Sequence, residues 1–261
     1  MNIIVCVKQV PDTFEVKIDP ETKRIVREGV ESVINPYDTY AIEEAVRIKE
    51  RFAGSVTVLS MGPPQAEKAL REAIAMGADQ AVLLSDMEFA GSDTLATSYI
   101  LSCGIRKLKD FDVIVCGRET LDGSTGQVGP EVAYHLGIPY VTYVSKILDI
   151  SGGRMHCVRL MEDHYEEVKT ELPVLITVIK EINQPRIPSL KGMLKAKKAE
   201  VLLCRCADME GEKCNYGQDG SPTRVVDVWT EHMEKEGRKV EGEPEELADA
   251  LFNELKNLGV V

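Results

Sequence analysis

Apolar and polar positions follow two periods in turn along the first two-thirds of the chain. Short continuous apolar runs at 3–7, 56–59, 81–84 and 113–116 have the length and β-rich make-up of buried parallel strands. Between them, apolar positions recur at helical spacing. Asn35 is a capping residue type and Pro36 suits a first helical position; Ala41, Ala45, Ile48 and Phe52 then share a face, Glu43 and Arg47 stand at i,i+4, and Gly54 is a stop. Gly62-Pro63-Pro64 opens a second helix to Met76, with Ala66, Leu70, Ala73 and Ile74 inward and Gly77 at its end. Ser92-Asp93 starts a third, with Leu95, Tyr99 and Ile100 among its apolar positions. The fourth strand runs into Gly117 and the segment D-G-S-T-G-Q-V-G-P at 122–130, and a short helix through His135 and Leu136 ends at Gly137. Val16 and Ile18, then Ile25 and Val26, flank the turn-like Asp19-Pro20-Glu21-Thr22 and predict a small hairpin after the first strand.

This alternation predicts an α/β fold, a doubly wound and mostly parallel sheet. Beyond Ile138 the strand-like runs 140–150, 155–160, 166–170 and 174–179 come without intervening helices and are expected to extend the sheet antiparallel. From Asn183 the pattern is poor for about sixty residues, too long an irregular stretch to close on its own domain. An extended C-terminal arm across a partner is expected there. Pro244 starts a last helix, with Leu247, Leu251, Leu255 and Leu258 on one side and Gly259 after it. The expected organisation is an α/β domain over 1–182 and a partner-facing arm with its terminal helix over 183–261.

Composition narrows the function classes. The chain has 261 residues, is 44% hydrophobic and carries a formal charge of −12. Such a charge argues against a nucleic-acid binder, which needs a basic surface. The basic run at 191–198 is the exception. No stretch has the length of a membrane span or the make-up of a targeting signal, so a cytoplasmic protein is expected. The seven cysteines are odd in number and scattered, which suits a reducing compartment. Cys204, Cys206 and Cys214 lack the second pair or nearby His that would complete a soft-metal set. His135, His156, His164 and His232 are dispersed and read as surface or structural residues. The acidic pairs Glu43/Glu44, Glu166/Glu167 and Glu245/Glu246 read as surface charge rather than as tuned acid–base pairs. Phosphate-loop, nucleophile-elbow and zinc-protease motifs are all missing. No catalytic side chain stands out.

The segment 122–130 is the best site candidate. Gly123, Gly126 and Gly129 remove side chains where a phosphate must approach backbone amides. Ser124 and Thr125 add hydroxyls beside Asp122 and Gln127. Val128 and Pro130 lead into a helix whose N-terminal amides point to the same place. On spacing alone a phosphate cradle and an ordinary glycine-rich turn are both compatible. The other strand ends add to the picture: Cys6 closes the first strand, Met61-Gly62 the second and Cys116-Gly117 the fourth, while Asn35-Pro36-Tyr37-Asp38 begins the first helix. In a doubly wound sheet these fall on one edge, where ligands bind.

Taken in order, V-C-V-K-Q-V-P-D (5–12), I-N-P-Y-D (34–38), M-G-P-P (61–64), A-M-G-A-D (75–79), C-G-R-E-T-L-D-G-S-T-G-Q-V-G-P-E (116–131), L-P-V-L-I-T (172–177), N-Q-P-R (183–186) and K-G-M-L-K-A-K-K (191–198) resemble the beta subunit of electron-transfer flavoproteins over essentially the full length. The resemblance implies an adenine-nucleotide alpha-hydrolase-like sheet and a heterodimer with an FAD-carrying alpha subunit. It implies that the strand ends and the glycine loop hold either AMP or, in electron-bifurcating members, an FAD that takes hydride from NADH. That FAD serves ferredoxin or flavodoxin on one side and, through the alpha subunit, a dehydrogenase of acyl-CoA or lactate type on the other. The small residues of the loop's first half are closer to the bifurcating form. Arg186, Leu190 and Lys191 fall in the segment that resembles the family's dehydrogenase-docking loop. The alternatives are the ordinary AMP-holding beta subunit and a stand-alone nucleotide-hydrolysing domain, against which the missing catalytic constellation counts.

Overall fold

The computed structural model describes residues 1–12, 32–227, 237 and 239–260. The expected hairpin at 16–26 lies outside the described residues. The described chain divides into a compact unit, Met1–Asp227, and a second unit, Val228–Val261.

The first unit is built on one nine-stranded sheet. Its strands are β1 (Asn2–Cys6), β4 (Ser55–Met61), β5 (Gln80–Leu84), β6 (Val113–Gly117), β7 (Tyr140–Ser151), β8 (Arg154–Leu160), β9 (Tyr165–Glu171), β10 (Val174–Val178) and β11 (Val201–Cys204), in the order β11-β5-β4-β1-β6-β10-β7-β8-β9. The short strands β2 (Gln9–Pro11) and β3 (Ser32–Ile34) pair separately. All contacts from β11 to β7 are parallel. The fold class is therefore as the sequence predicts. The chain winds outward from β1 to β4 and β5, then returns to place β6 on the other side of β1. That reversal makes the β1/β6 junction a topological switch point, where the two connections diverge and leave a crevice.

Period-2 alternation divides the strand residues between two cores. Ile3, Val5, Val56, Val58, Val113 and Val115 face α1 (Pro36–Phe52) and α2 (Glu67–Met76). Ile4, Leu59, Val82, Ile114 and Leu175 face α3 (Thr94–Leu108) and α4 (Val128–Leu136). Asp93 caps α3 by accepting from the Ala96 amide, and Gly137 ends α4 in the left-handed region.

Two expectations are corrected. Of the strands after Ile138, β8 alone runs against the sheet, through antiparallel pairings with β7 and β9; β7 and β10 pair in parallel, β10 inserting between β6 and β7. Val174–Val178 is buried at every position, as a strand covered on both faces must be. The chain after Asn183 is also not an irregular arm as far as Asp227. The helix α5 (Leu190–Lys198) lies on α2, and β11 adds a parallel edge beside β5. Arg71 secures this return by donating to the Ala196 and Ala199 carbonyls at 2.7 and 3.0 Å. Gly192 permits it, since a Cβ there would lie 2.3 Å from the Ala75 carbonyl oxygen. The second unit contains α6 (Pro244–Asn257), with Leu251, Phe252 and Leu258 exposed.

Leu70 is fully buried between α2 and the sheet. Leu70→Ala is expected to cost about 2–5 kcal/mol, read as a lowered midpoint in chemical denaturation. The exposed neighbour Glu72→Ala should stay within about 0.5 kcal/mol.

Candidate functional site

The carboxyl ends of β1, β4, β5, β6 and β11 open on one cleft of about 2020 Å³. Of the residues singled out from the sequence, Cys6, Asp38, Met61, Gly62, Cys116, Gly117, Asp122, Gly123, Thr125, Gly126, Gln127, Val128 and Gly129 line it. Asn35, Pro36, Tyr37, Ser124 and Pro130 lie outside the lining.

Asn35 stands directly behind the loop. Its side chain makes no cap bond to α1. It donates instead to the Glu119 carbonyl at 2.8 Å and accepts from the Leu121 amide at 3.2 Å. Its amide also donates to Asp38 Oδ1 at 3.0 Å. Asp38 Oδ2 accepts from the Lys8 amide at 2.7 Å, and the Gly117 amide is a further donor to this carboxyl. One buried carboxyl thus joins the end of β1, the start of α1 and the end of β6.

The loop itself turns twice through the left-handed region, at Ser124 (φ 49°) and Gly126 (φ 64°). Gly129 already belongs to the first turn of α4, and a Cβ there would meet Thr177 Cγ2 at 2.8 Å. Gln127 precedes α4 without a side-chain cap, so the helix presents its first amides to the cleft. Lys8 Nζ pairs with both Asp122 carboxylate oxygens at 2.8 Å. Against the upward push of burial, Lys8 and the Thr120 hydroxyl hold Asp122 below the usual carboxylate range. Uncapped amides, a nearby ammonium and the glycine cradle suit a phosphate or pyrophosphate.

Several lining residues were not singled out from the sequence. Arg118 follows Gly117, and its guanidinium lies over the Tyr37 and Tyr143 rings at 5.8 and 5.6 Å. Its buried Nε has no protein partner among the described residues. Tyr143 is held at φ 57° where β7 bulges against β10, which re-aims its side chain toward the loop. Only the register of two distant strands sets that bulge. Thr94 of α3 donates to Gln127 Oε1 at 3.1 Å and stands beside the glycine loop, while Thr97, Arg205 and Thr223 also line the cleft. Asp93, read as a helix start, also binds Thr223 through Oδ2 at 2.8 Å.

The docking candidates fall elsewhere. Arg186 donates to Glu43 Oε2 at 2.7 Å and to Glu50 Oε1 at 2.6 Å. Glu43 is only 2% exposed and Glu44 is buried too, correcting their reading as surface charge. Against burial, Arg186 and Arg47 hold Glu43 below its usual range, whereas burial pushes Glu44 up despite its bond from Asn183. Leu190, at the first position of α5, is 71% exposed, Ile187 is 91% exposed and Lys191 is exposed.

Burial pushes Asp38 up to about 7 from 3.8, against the lowering pull of the Lys8 amide, Asn35 and the Gly117 amide. The folded state therefore holds this proton where the unfolded chain has lost it, and the contribution of Asp38 to stability falls as pH rises between about 4 and 7. Asp38→Asn removes that slope: between pH 5 and 8 the urea midpoint should drop less in the variant than in the wild type.

Comparison with known proteins gives the family. The electron transfer flavoprotein domain matches residues 22–204. An electron transfer flavoprotein subunit beta from Thermoanaerobacterium thermosaccharolyticum is 50% identical, covering 100% of both chains. One from Clostridium acetobutylicum is 48% identical over 98% of each. The Caffeyl-CoA reductase-Etf complex subunit CarD of Acetobacterium woodii is 43% identical over 100% of each. No helix among the described residues is long and apolar enough to cross a membrane. The chain belongs to the electron transfer flavoprotein family and is similar throughout its length to the family's beta subunits.

Proposed function

We propose that the cleft holds FAD, reduced by NADH, in a bifurcating electron transfer flavoprotein whose alpha subunit pairs with this chain. The observation that carries the reading is the reach of the cleft. At about 2020 Å³ it exceeds the range of about 300–1,000 Å³ typical of sites for drug-sized ligands. Its lining includes the glycine loop with Thr94 beside it, and also Thr97, Arg205 and Thr223. The name of the relative from Acetobacterium woodii, a subunit of a reductase–Etf complex, points the same way.

In this reading the backbone at the ends of β1 and β4 flanks the adenine. The glycine loop and the first turn of α4 take the pyrophosphate. Lys8 and Asp122, already paired, hold the loop closed over it. Thr97, which also lines the cleft, would offer a hydroxyl to the rest of the cofactor. When bound, FAD supplies hydride acceptance from NADH and single-electron transfer, toward ferredoxin or flavodoxin and toward the alpha-subunit flavin. The protein's part is to bind, orient and shield it. The ordinary reading, with structural AMP, needs only the loop half of the cleft. The exposed apolar residues of α6 suit packing on the alpha subunit, and the Arg186–Lys191 segment suits docking of a dehydrogenase.

Cofactor content separates the readings. Purified heterodimer should contain two FAD and bleach rapidly with NADH; one FAD plus AMP overturns the bifurcating reading. For docking, Leu190→Ala should raise KM for the partner dehydrogenase about five- to thirtyfold, the effect of losing about 1–2 kcal/mol at an interface anchor. Flavin content should not change.

A further inference from the structure

The switch-point crevice has two thiols at its floor. Cys6 and Cys116 are the register partners of β1 and β6, the last pair in that ladder. Register partners on neighbouring parallel strands put their side chains on the same face, and both cysteines pack with the core beneath α3 and α4. Both line the cleft. Cys6 is partly exposed there, while Cys116 is 7% exposed. Neighbouring strands lie about 4.8 Å apart, within the roughly 4.4–6.8 Å Cα separation of a disulfide, and the strand ends must draw together slightly to bring the Cβ atoms into its roughly 3.5–4.5 Å range. Both thiols are free in this structure.

We propose that Cys6 and Cys116 form a dithiol modification site that closes to a disulfide when the cleft is empty and is covered when an adenine nucleotide is bound. The second half of this proposal rests on the reading of the cleft as a nucleotide site. The co-reactant is a small-molecule disulfide such as oxidised glutathione. The Cys6 thiolate attacks one sulfur of that disulfide, forming a mixed disulfide and releasing one thiolate, which takes up the proton that Cys6 lost. The Cys116 sulfur then attacks the Cys6 sulfur, the protein disulfide forms, and the second small thiol leaves with the Cys116 proton. Two thiols are oxidised and one disulfide is reduced to two thiols.

The order of attack follows from the surroundings. The neighbouring Cys6, burial and the Asp38 charge all push the Cys116 thiol up. Cys6 is the more accessible of the two and meets the reagent first. Cys116 then acts as the resolving thiol, against a sulfur already beside it.

The test treats the intact heterodimer with oxidised glutathione, as purified and after removal of its bound nucleotide, and maps the peptides. A linked pair carrying residues 6 and 116 should form in the depleted protein and revert with dithiothreitol. Adding back FAD, or AMP in a parallel arm, at about 100 times its Kd should slow the linkage about a hundredfold, since only about 1% of sites then stay empty. Cys116→Ser should stop at a glutathione adduct on Cys6, which separates loss of the resolving thiol from misfolding. Absence of the linked peptide in the depleted wild-type protein would overturn the dithiol and leave the cofactor reading untouched. Linkage at the same rate with and without nucleotide would overturn the cover, and with it the nucleotide reading of this floor.

Discussion

A buried carboxyl must be met by donors on every side, and Asp38 shows what that constraint builds. Its donors come from the end of β1, the turn before α1 and the end of β6. These elements are far apart in sequence, and without them the group would lie in the core with its acceptors unmet. The packing leaves no slack: a Cβ on Gly117 would lie 2.3 Å from Asp38 Oδ1. Asn35 carries the same knot outward into the loop through Glu119 and Leu121. Lys8 does so twice, its amide on Asp38 and its ammonium on Asp122. The floor and the glycine-loop side of the cleft are therefore one hydrogen-bonded piece.

Much of this was legible in the sequence because it is local. Short apolar runs mark β1, β4, β5 and β6 directly, and Gly62 and Gly117 mark the ends of β4 and β6. The glycine spacing at 123, 126 and 129 marks a place where side chains are excluded. What was not legible is set by pairing over long distances. The strand β10 looks like any apolar run, and nothing local says that it slips between β6 and β7. The half-exposed Leu202 and Leu203 of β11 do not alternate as a covered strand would.

Charges misled for the same reason. Glu43 and Glu44 sit in a helix pattern where two adjacent acids normally face water. They are buried because Arg186 and Asn183 arrive from over a hundred residues away to meet them. Asn35 shows the converse. A capping residue before a proline reads as a helix start, and the start is real, but the side chain is spent on the glycine loop instead. Tyr143 left no trace at all, since a left-handed tyrosine is a product of the β7 bulge and not of its own preference.

The Arg186 clamp has a consequence for timing. Ile187 and Leu190 stand exposed between a guanidinium fixed on two glutamates and a helix capped by Ser189. The segment's conformational entropy is thus already surrendered in the free chain. A partner docking there as proposed would meet a surface that needs no ordering, so little of the contact energy would be consumed in arranging it. Two small apolar points then give enough grip to orient a collision and too little to prolong it. On the proposed docking role, such a surface would favour rapid exchange of partners over a lasting complex.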